Sequence, residues 1–450
     1  RSGRTSIPTE NHFLLQGCPC GATGRCGHRP LLTGTERRVC PPANLPFPVA
    51  ADGAAARPPL CSLRRSAHSA AATDTDDFDR RCRQFLNGQC PSTPMRTCSV
   101  CDREYPRAEP WRCSCGAPLD YAMQPLPDSQ PGQFSRTSGV WDFAEFLPMD
   151  ERVSLGEGWT PLVDAPGWDA TFKLESLHPT GSFKDRGAAT VIAEALEVGA
   201  DRVLEDSSGN AGLAVASYAA RAGLDAEIYV PASAKDAKVR RIERTGADVV
   251  RVEGSRESVT EACIDAVEDG AGWYASHAWN PAFFAGTATA AYEIAAQRDW
   301  SVPDAVVTPL GHGTLFLGLY RGFQALEQAG WTDAIPRILG TQAVGYSPIA
   351  DDDEGGTVPD DAAANDLADG IHIRDPPRSR QIQHAIDETD GAAVAVSAAA
   401  TERERDRLGA AGFHVEPTCA TATAALPEFR ERGELQDGDD VVVALTGRND

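Results

Sequence analysis

The residue whose type and setting best suit covalent chemistry is Lys184. It lies in the stretch Pro179–Gly187 (PTGSFKDRG), at the start of a predicted helix, and it is one of only four lysines in the chain. A lysine amine can form a Schiff base with an aldehyde and then, as a free amine, move protons at the α- and β-carbons of a substrate. The positive end of the helix and partial burial would lower its pKa and favour the neutral amine. The alternative is a surface lysine that caps a loop.

Three other loops follow predicted strands and could bind anionic or polar groups. The Ser207–Gly212 loop (SSGNAG) offers backbone N–H groups and two hydroxyls to a carboxylate. The Gly311–Thr314 loop (GHGT) has two glycines that let the backbone wrap a phosphate, to which the threonine hydroxyl could also donate. The Leu445–Gly447 loop (LTG) ends the last predicted strand and places a hydroxyl where it could meet a ring nitrogen. An ordinary helix cap and a plain turn are the alternatives for the first two loops.

Two close cysteine pairs predict a small metal site in residues 95–122. Cys98 and Cys101 form the first pair and Cys113 and Cys115 the second, with eleven residues between the pairs. Four thiolates at this spacing can surround Zn²⁺ as a tetrahedron, and they would leave no open position for catalysis. The sequence therefore predicts a structural zinc ribbon. Because disulfides are not expected in a reducing cytoplasm, the alternative is a ribbon of four free thiols without a metal.

The charge distribution excludes several classes of partner. The chain carries 65 acidic and 42 basic side chains, and residues 1–94 hold 12 of the arginines but only 7 of the acids. The rest of the chain is therefore strongly acidic and would repel nucleic acid and anionic membranes. No apolar run reaches the roughly 18 residues of a membrane-spanning helix, and the start has no secretory signal pattern, so we expect a cytoplasmic protein. Abundant acids with few lysines are typical of halophilic proteins.

Residues 1–94 differ from the rest of the chain. They hold seven of the thirteen cysteines, irregularly spaced, in sequence without the regular apolar periodicity of helices or strands. The charge and the cysteine pattern change at Met95, the first methionine. A disulfide or metal module is one interpretation. The small apolar content favours the other, a disordered extension or upstream sequence that is not natural protein, so this segment is excluded from the fold prediction.

The body of the chain alternates short apolar runs with helical patterns. Residues 123–150 are rich in proline and irregular, and they are predicted to be a linker. The later alternation predicts an α/β fold with mostly parallel sheet and helices on both faces, in which ligands bind at the carboxyl ends of the strands. The predicted elements are the strands Arg202–Leu204, Ala226–Val230, Asp248–Val252, Ala305–Thr308, Arg337–Gly340, Ala392–Val396 and Val441–Leu445, and the helices Asn210–Ala222 and Ala234–Thr245.

Taken together, the four loops resemble those of the fold-type II enzymes that use pyridoxal phosphate, in the tryptophan synthase β-like superfamily. Within that group the chain resembles threonine synthase and its immediate relatives. Three further stretches carry the likeness, namely Gly156–Leu162 (GEGWTPL), Tyr274–His277 (YASH) and Val415–Pro417 (VEP). A short cysteine-bearing ribbon ahead of the catalytic body is also a feature of many threonine synthase-like chains. The resemblance covers about residues 95–450 and none of residues 1–94.

The resemblance implies a two-lobed catalytic domain in residues 151–450, preceded by the zinc ribbon. A smaller lobe, at roughly residues 190–285, would move to close over a small amino-acid substrate and exclude water. The resemblance also implies that the protein is a homodimer.

The resemblance implies a role for each loop residue. Lys184 would hold the cofactor as a Schiff base and act as acid and base. Thr446 would face the pyridine nitrogen, and a neutral hydroxyl there leaves that nitrogen unprotonated, which suits β-elimination and replacement. The other implied contacts are Asn210 to the ring hydroxyl, Ser207, Ser208 and Gly209 to the substrate carboxylate, and Gly311, His312, Gly313 and Thr314 to the cofactor phosphate.

The implied reaction is that of threonine synthase, which converts O-phosphohomoserine and water into threonine and phosphate. A threonine or serine ammonia-lyase needs the same lysine and cofactor but no second phosphate site, and a cysteate synthase-like β-replacement is a further alternative. A pyridoxal-phosphate carrier or a catalytically silent zinc-ribbon protein is the interpretation from a different class, and the presence of both Lys184 and Asn210 argues against it. We expect no appended effector domain after the last loop, which favours a synthase or an unregulated lyase.

Three positions depart from the pattern of the family. His178 stands where an Asn commonly precedes the Pro-Thr-Gly sequence, and the loop with His312 lacks the fuller glycine run of many relatives. The ending Arg448–Asp450 replaces a common Gly-Leu-Lys continuation. The sequence does not single out the groups that would bind a leaving phosphate, and Arg186 is predicted to be an ion-pair partner of Asp185 or of a neighbouring acid.

Overall fold

The computed structural model describes residues 95–108, 110–130, 134–350 and 363–448. The expectation of a disordered or non-natural extension over residues 1–94 lies outside these described residues. Helices alternate with strands in the order that the sequence predicted, and the α/β fold class is confirmed. None of the helices in these ranges is both long enough and apolar enough to cross a membrane.

The strands of the described residues lie in three sheets. In chain order they are β1 (Met95–Cys98), β2 (Glu104–Pro106), β3 (Leu119–Tyr121), β4 (Leu162–Ala165), β5 (Ala170–Lys173), β6 (Arg202–Glu205), β7 (Asp225–Pro231), β8 (Asp248–Val252), β9 (Trp273–Tyr274), β10 (Ala305–Pro309), β11 (Arg337–Ala343), β12 (Ala392–Val396) and β13 (Val441–Ala444). The helices are α1 (Lys184–Glu197), α2 (Asn210–Ala222), α3 (Asp236–Glu243), α4 (Arg256–Glu268), α5 (Pro281–Gln297), α6 (Thr314–Gln328), α7 (Ser379–Glu388), α8 (Ala398–Ala410), α9 (Pro417–Ala424) and α10 (Leu426–Glu431). Short 3₁₀ segments are Gly139–Phe146, Glu175–Leu177 and Asp369–Ile371.

The largest sheet has the strand order β12-β11-β10-β13-β5-β4. Its first five strands are parallel, and β4 at the edge is antiparallel to β5. All residues of the central strands β10 and β13 are buried, and Val306 lies opposite Ile338 on one side and Val442 on the other. Nearly continuous apolar strands of this kind are typical of parallel sheets covered on both faces. The sheet is therefore mostly parallel, as predicted, with one antiparallel edge.

A second sheet, with the order β8-β7-β6-β9, lies within the segment 190–285 that the sequence assigned to a smaller lobe. All its neighbouring strands are parallel. Helix α2 has the predicted bounds, and it ends at Gly223, whose φ of +76° is the left-handed conformation that commonly terminates helices. Helix α3 is shorter than the predicted Ala234–Thr245, because Lys235 still has non-helical backbone angles and caps the helix.

Residues 95–122 form a third, small antiparallel sheet with the order β2-β1-β3, which we call the cysteine module. Its own hydrophobic cluster consists of Cys98, Cys113 and Leu119, all buried. So small a cluster buries little apolar surface, and domains of this size usually need a metal or other cross-link for stability. The module must therefore draw stability from a metal, from the body of the protein, or from both.

Residues 123–150, for which the sequence suggested an irregular linker, contain a buried element. The 3₁₀ segment Gly139–Phe146 places Trp141 and Phe143 in two hydrophobic clusters of the body. The indole N–H of Trp141 donates to the carbonyl of Val153 at 3.0 Å. Because a single 3₁₀ segment has no sustained helical period, its apolar side chains leave no clear pattern in the sequence. This part of the segment therefore packs into the body of the protein.

A network of buried charges joins the first turn of α1 to α5 and to the end of β5. Arg186 donates to Glu175 at 2.7 Å and to Glu293 at 2.6 Å, and the amine of Lys173 donates to Glu293 at 2.8 Å. Burial alone would raise the pKa of Glu293, but the two cations lower it to about 2. Two buried cations therefore balance two buried carboxylates. The acids that Arg186 pairs with are these two rather than Asp185.

We predict that Arg186→Met lowers the free energy of unfolding by about 3–5 kcal/mol, because it leaves two buried carboxylates with a single lysine. Urea denaturation measures this loss. The matched control is Arg202→Met, because Arg202 is partly exposed and two of its three acidic neighbours are largely exposed. That variant should lose no more than about 1 kcal/mol. Equal losses in the two variants would contradict the structural role of the network.

Candidate active site

The loop that contains Lys184 is bound to the loop that follows the last strand. The N–H of Phe183 donates to the carbonyl of Thr446 at 3.0 Å, and the N–H of Arg448 donates to the carbonyl of Gly181 at 2.9 Å. Gly181 has a φ of +95°, which glycine adopts without strain. Helix α1 begins at Lys184 itself. The structure thus brings together the predicted lysine and the predicted ring-nitrogen loop, which are far apart in sequence.

The amine of Lys184 is available for chemistry. The side chain is half-buried, its nitrogen lies 4.3 Å from the centre of the Phe183 ring, and no hydrogen bond joins it to a residue that the structure describes. Burial lowers its pKa to about 8, and the positive charge of Arg256 adds to the shift. The carboxyl groups of Glu205 and Glu416 oppose the shift when they are ionised. A substantial share of the amine is therefore unprotonated at mildly alkaline pH.

The Ser207–Gly212 loop lies at the carboxyl end of β6 and leads into α2. Its turn is closed by the N–H of Gly209, which donates to the hydroxyl of Ser207 at 3.2 Å. A Cβ at Gly212 would overlap the carbonyl of Ser207, so the close approach of α2 to the loop requires glycine there. Ser208 and Gly209 are half-buried, and solvent or a ligand can therefore reach them.

Asn210 connects the start of α2 to the loop after β13. Its Nδ2 donates to the Oε2 of Glu416 at 3.0 Å, and the N–H of Glu416 donates to the carbonyl of Gly447 at 3.0 Å. A Cβ at Gly447 would lie only 2.7 Å from a carboxylate oxygen of Glu416 and 3.1 Å from Nδ2 of Asn210. Burial raises the pKa of Glu416. The smaller and the larger sheet thus meet at these three residues.

The Gly311–Thr314 loop joins β10 to α6 and has the form of an anion site. Gly313 caps α6 with a φ of +76°, and the hydroxyl of Thr314 donates to the carbonyl of His277 at 3.3 Å. The N–H groups of Gly311, His312 and Gly313 donate to no other residue within the described ranges. Free N–H groups at the positive end of a helix attract anions. The loop therefore has the donors that a phosphate requires.

Two histidines and a glutamate lie next to these loops. The Nδ1 of His277 is 2.6 Å from a carboxylate oxygen of Glu205, and the rings of His277 and His312 are 5.1 Å apart. Burial lowers the pKa of both histidines, and the nearby charges of Lys184 and Arg256 lower it further. Burial also raises the pKa of Glu205. Glu205 and His277 therefore share one proton as a neutral pair.

Arg256 and Glu205 are functional candidates that the sequence analysis missed. Arg256 begins α4 after the carboxyl end of β8, and its Nη2 lies 3.4 Å from Nε2 of His312. It is half-buried, and it forms no ion pair with any carboxylate among the described residues. Both residues lie at or shortly after the carboxyl end of a strand, as the Ser207–Gly212 and Gly311–Thr314 loops do. This position is the sequence feature that could have identified them.

The hydroxyl of Thr446 contacts an uncharged thiol. The sulfur of Cys419 lies 3.3 Å from the Thr446 hydroxyl and accepts a hydrogen bond from the N–H of Gly447 at 3.1 Å. Burial raises the pKa of the Cys419 thiol to about 12, so the thiol stays protonated. The hydroxyl of Ser182 is buried and has no hydrogen-bond partner among the residues described. It is therefore an available polar group beside the lysine loop.

The four cysteines of the cysteine module come together as their spacing predicts. The sulfurs of Cys98 and Cys115 are 3.6 Å apart, those of Cys101 and Cys113 are 3.4 Å apart, and all four lie within 4.8 Å of one another. A tetrahedral zinc site, with Zn–S bonds of about 2.3 Å, separates its sulfurs by roughly 3.8 Å. The hydroxyl of Tyr105 lies 3.2 Å from the Cys113 sulfur. This arrangement could hold a metal ion with four thiolates.

Comparison with known proteins agrees with the geometry of the site. The pyridoxal-phosphate dependent enzyme family matches residues 153–447. The threonine synthase of Methanosarcina acetivorans is 31% identical over 368 residues, which cover 78% of this chain and 90% of that protein. The threonine synthase of Methanocaldococcus jannaschii is 28% identical and covers 78% of this chain and 92% of its own length. That of Mycobacterium tuberculosis is 30% identical, with coverages of 68% and 86%.

Solved structures with a similar fold include a threonine deaminase from T.th. It superimposes with a TM-score of 0.54 at 27% identity and covers 65% of this chain and 92% of that one. Maize serine racemase has a TM-score of 0.56 at 23% identity, with coverages of 65% and 88%, which indicates a likeness of fold alone.

We predict that the reaction of Lys184 with a small aldehyde rises with pH and reaches half of its maximum near pH 8. The reason is that only the unprotonated amine reacts and burial lowers its pKa to about 8, whereas an ordinary lysine titrates at about 10.4. Propionaldehyde with cyanoborohydride, followed by peptide mass mapping at each pH, measures this reaction. The exposed Lys235 serves as an internal reference for the reagent. A midpoint at the value of an ordinary lysine would contradict the prediction.

Proposed function

The chain belongs to the family of pyridoxal-phosphate-dependent enzymes, and we propose that it acts as a threonine synthase, which converts O-phosphohomoserine and water into threonine and phosphate. The observation that carries this proposal is the half-buried amine of Lys184, which has no hydrogen bond to a described residue and lies beside the loop with Thr446, in a chain similar to threonine synthases along most of its length. A threonine or serine ammonia-lyase is the second candidate, because a threonine deaminase is among the similar solved structures.

The residues around Lys184 fit pyridoxal phosphate. The N–H groups of Gly311, His312 and Gly313 suit its phosphate group, and the hydroxyl of Ser182 in the lysine loop is a further donor; none of these groups has a partner in the described part of the chain. The neutral hydroxyl of Thr446, in contact with the Cys419 thiol, suits a ring nitrogen that carries no proton. When bound, the cofactor supplies an electron sink for negative charge that develops on the substrate carbons.

The chain's own residues would hold the cofactor and move protons. The amine of Lys184 would hold the cofactor covalently and, when free, would move protons between the substrate carbons. Nδ2 of Asn210 has two hydrogens, of which Glu416 accepts one, and the other is available to the ring oxygen of the cofactor. The Ser207–Gly209 turn, in which Ser208 and Gly209 are half-buried, lies at the positive end of α2 and suits the carboxylate of the amino acid.

Arg256 supports the synthase reaction over the lyase reaction. Threonine synthase must bind a phosphate that leaves the γ-carbon of its substrate, whereas threonine and serine carry no phosphate. Arg256 is a cation without a carboxylate partner among the described residues, and it lies beside the neutral imidazole of His312. Arginine binds phosphate through paired, charge-assisted hydrogen bonds. We therefore assign Arg256 to the leaving phosphate.

The four cysteines of the cysteine module are proposed to hold a structural zinc ion. Four thiolates are a complete tetrahedral ligand set, so the ion would have no open position for a substrate. The close approach of the four sulfurs supports this proposal. Without a metal, so small a sheet would depend on its contacts with the body alone.

The sequence also favours two properties of the whole protein. The family resemblance favours a homodimer, and the acidic, lysine-poor composition favours function in concentrated salt. Light scattering and activity measurements at low and high salt test both.

We predict that the purified protein releases phosphate from O-phosphohomoserine and that Arg256→Met lowers kcat/KM for this reaction by about 10²-fold, because a charge-assisted hydrogen bond to the leaving group is lost. Phosphate release and threonine formation are measured together. The matched control is Arg251→Met, because Arg251 is an exposed arginine of β8 that pairs with Asp236. Its kcat/KM should be unchanged.

Two outcomes would contradict this prediction. An unchanged kcat/KM in Arg256→Met would remove Arg256 from the phosphate site. Formation of 2-oxobutyrate from threonine, with O-phosphohomoserine left intact, would identify the protein as a lyase instead.

We predict that the protein binds one zinc ion per chain and that Cys101→Ser abolishes this binding, because three thiolates hold zinc far more weakly than four. Atomic absorption after gel filtration measures the metal content. Cys263→Ser is the control, because Cys263 is buried in a hydrophobic cluster of the body. Metal content that is equal in the two variants, or absent from the wild-type protein, would disprove the zinc site.

A further inference from the structure

The cysteine module contacts the segment that carries His277. Trp111 lies between the two cysteine pairs and packs edge-on against two aromatic rings. Its ring centroid is 5.3 Å from that of Tyr274 and 5.0 Å from that of Trp279. These two residues stand on either side of His277 in the chain. Trp111 therefore contacts both ends of the segment Tyr274–Asn280, from which His277 reaches the candidate active site.

A buried arginine binds the same segment to the module a second time. Arg378 donates to the carbonyl of Leu119 in β3 at 2.9 Å, to that of Trp279 at 2.7 Å and to that of Ala278 at 3.3 Å. Its side chain is fully buried. One guanidinium thus joins the backbone of the cysteine module to the backbone of the segment.

The other side of the segment contacts three parts of the candidate active site. The hydroxyl of Tyr274 donates to Asp206 at 3.0 Å, directly before the Ser207–Gly212 loop. His277 shares a proton with Glu205, and its carbonyl accepts from Thr314. A shift of the segment would therefore displace groups at the carboxylate loop and at the phosphate loop together.

We propose that Trp111 is a positioning residue, which holds the segment Tyr274–Asn280 in place and thereby couples the cysteine module to cofactor binding. Trp111 acts through Tyr274 and Trp279 and contacts neither substrate nor cofactor. A metal ion bound to the four thiolates would fix the turn that carries Trp111, and removal of the metal would loosen the same contacts. The inference rests on the proposed function only for the identity of the cofactor.

The test compares two tryptophans of this chain that make similar contacts. Trp331 also packs edge-on against two rings, those of Phe146 at 4.9 Å and Trp300 at 5.0 Å, but it lies beyond the far end of α6. Trp111→Leu and Trp331→Leu both keep an apolar side chain and lose two ring contacts. The readouts are the Kd for pyridoxal phosphate, the circular dichroism of the bound cofactor, the zinc content and the urea midpoint.

We expect Trp111→Leu to raise the Kd for pyridoxal phosphate about tenfold, the order that two lost aromatic contacts would produce. The circular dichroism of the cofactor should change, the zinc content should not, and Trp111→Phe should recover most of the affinity. Trp331→Leu should lower the urea midpoint without changing the Kd. Cys101→Ser should raise the Kd in the wild-type background but add little in Trp111→Leu, because both changes act through the same contacts.

Three results would overturn the inference. They are a wild-type Kd in Trp111→Leu, an equal rise of Kd in Trp331→Leu, and full additivity of Cys101→Ser with Trp111→Leu. A wild-type protein that binds pyridoxal phosphate without consuming O-phosphohomoserine would contradict the proposed threonine synthase activity, and the comparison of the Kd values would still decide the role of Trp111.

Discussion

The position of helix α1 is the constraint on which the candidate site depends. Its first residue is Lys184, and its first turn contains Arg186, which lies in a buried network with Glu175 and Glu293. Any shift of the helix would separate these charges in a place that water does not reach, and an unpaired buried charge is costly. Further along, Glu194 accepts hydrogen bonds from two arginines of the cysteine module. Buried ion pairs thus hold α1 in place at its start and further along its length.

The chemistry of the site depends on burial, which shifts the pKa values of its ionisable groups toward their uncharged forms. Lys184 has a lowered pKa because it is half-buried, and its acidic neighbours Glu205 and Glu416 have raised pKa values for the same reason. Burial also lowers the pKa of His277, which favours the neutral imidazole. In such surroundings a single cation strongly raises the local electrostatic potential, because few opposite charges compensate it. Arg256 is such a cation, and its proposed role in binding the leaving phosphate of the substrate rests on this.

The sequence predicted those features that depend on local residue types. The Lys184 loop could be predicted because lysine is scarce in this chain. The end of helix α2 could be predicted because Gly223 follows its last residue, and the structure gives that glycine the left-handed conformation of a helix end. The alternation of elements likewise predicted the parallel sheets. The pair of Glu205 and His277 spans 72 residues of chain, and nothing in either local sequence indicates the other. The contacts of Trp111 are equally long-range, so only the folded chain reveals them.

The central claim is that Lys184 holds pyridoxal phosphate beside the loop of the last strand. The most direct test is to load the protein with pyridoxal phosphate, reduce it with borohydride and map the modified peptide by mass spectrometry. We expect the phosphopyridoxyl group on Lys184, with the other three lysines unmodified. Modification of Lys173, Lys235 or Lys238 in place of Lys184, or no stable modification at all, would contradict the claim.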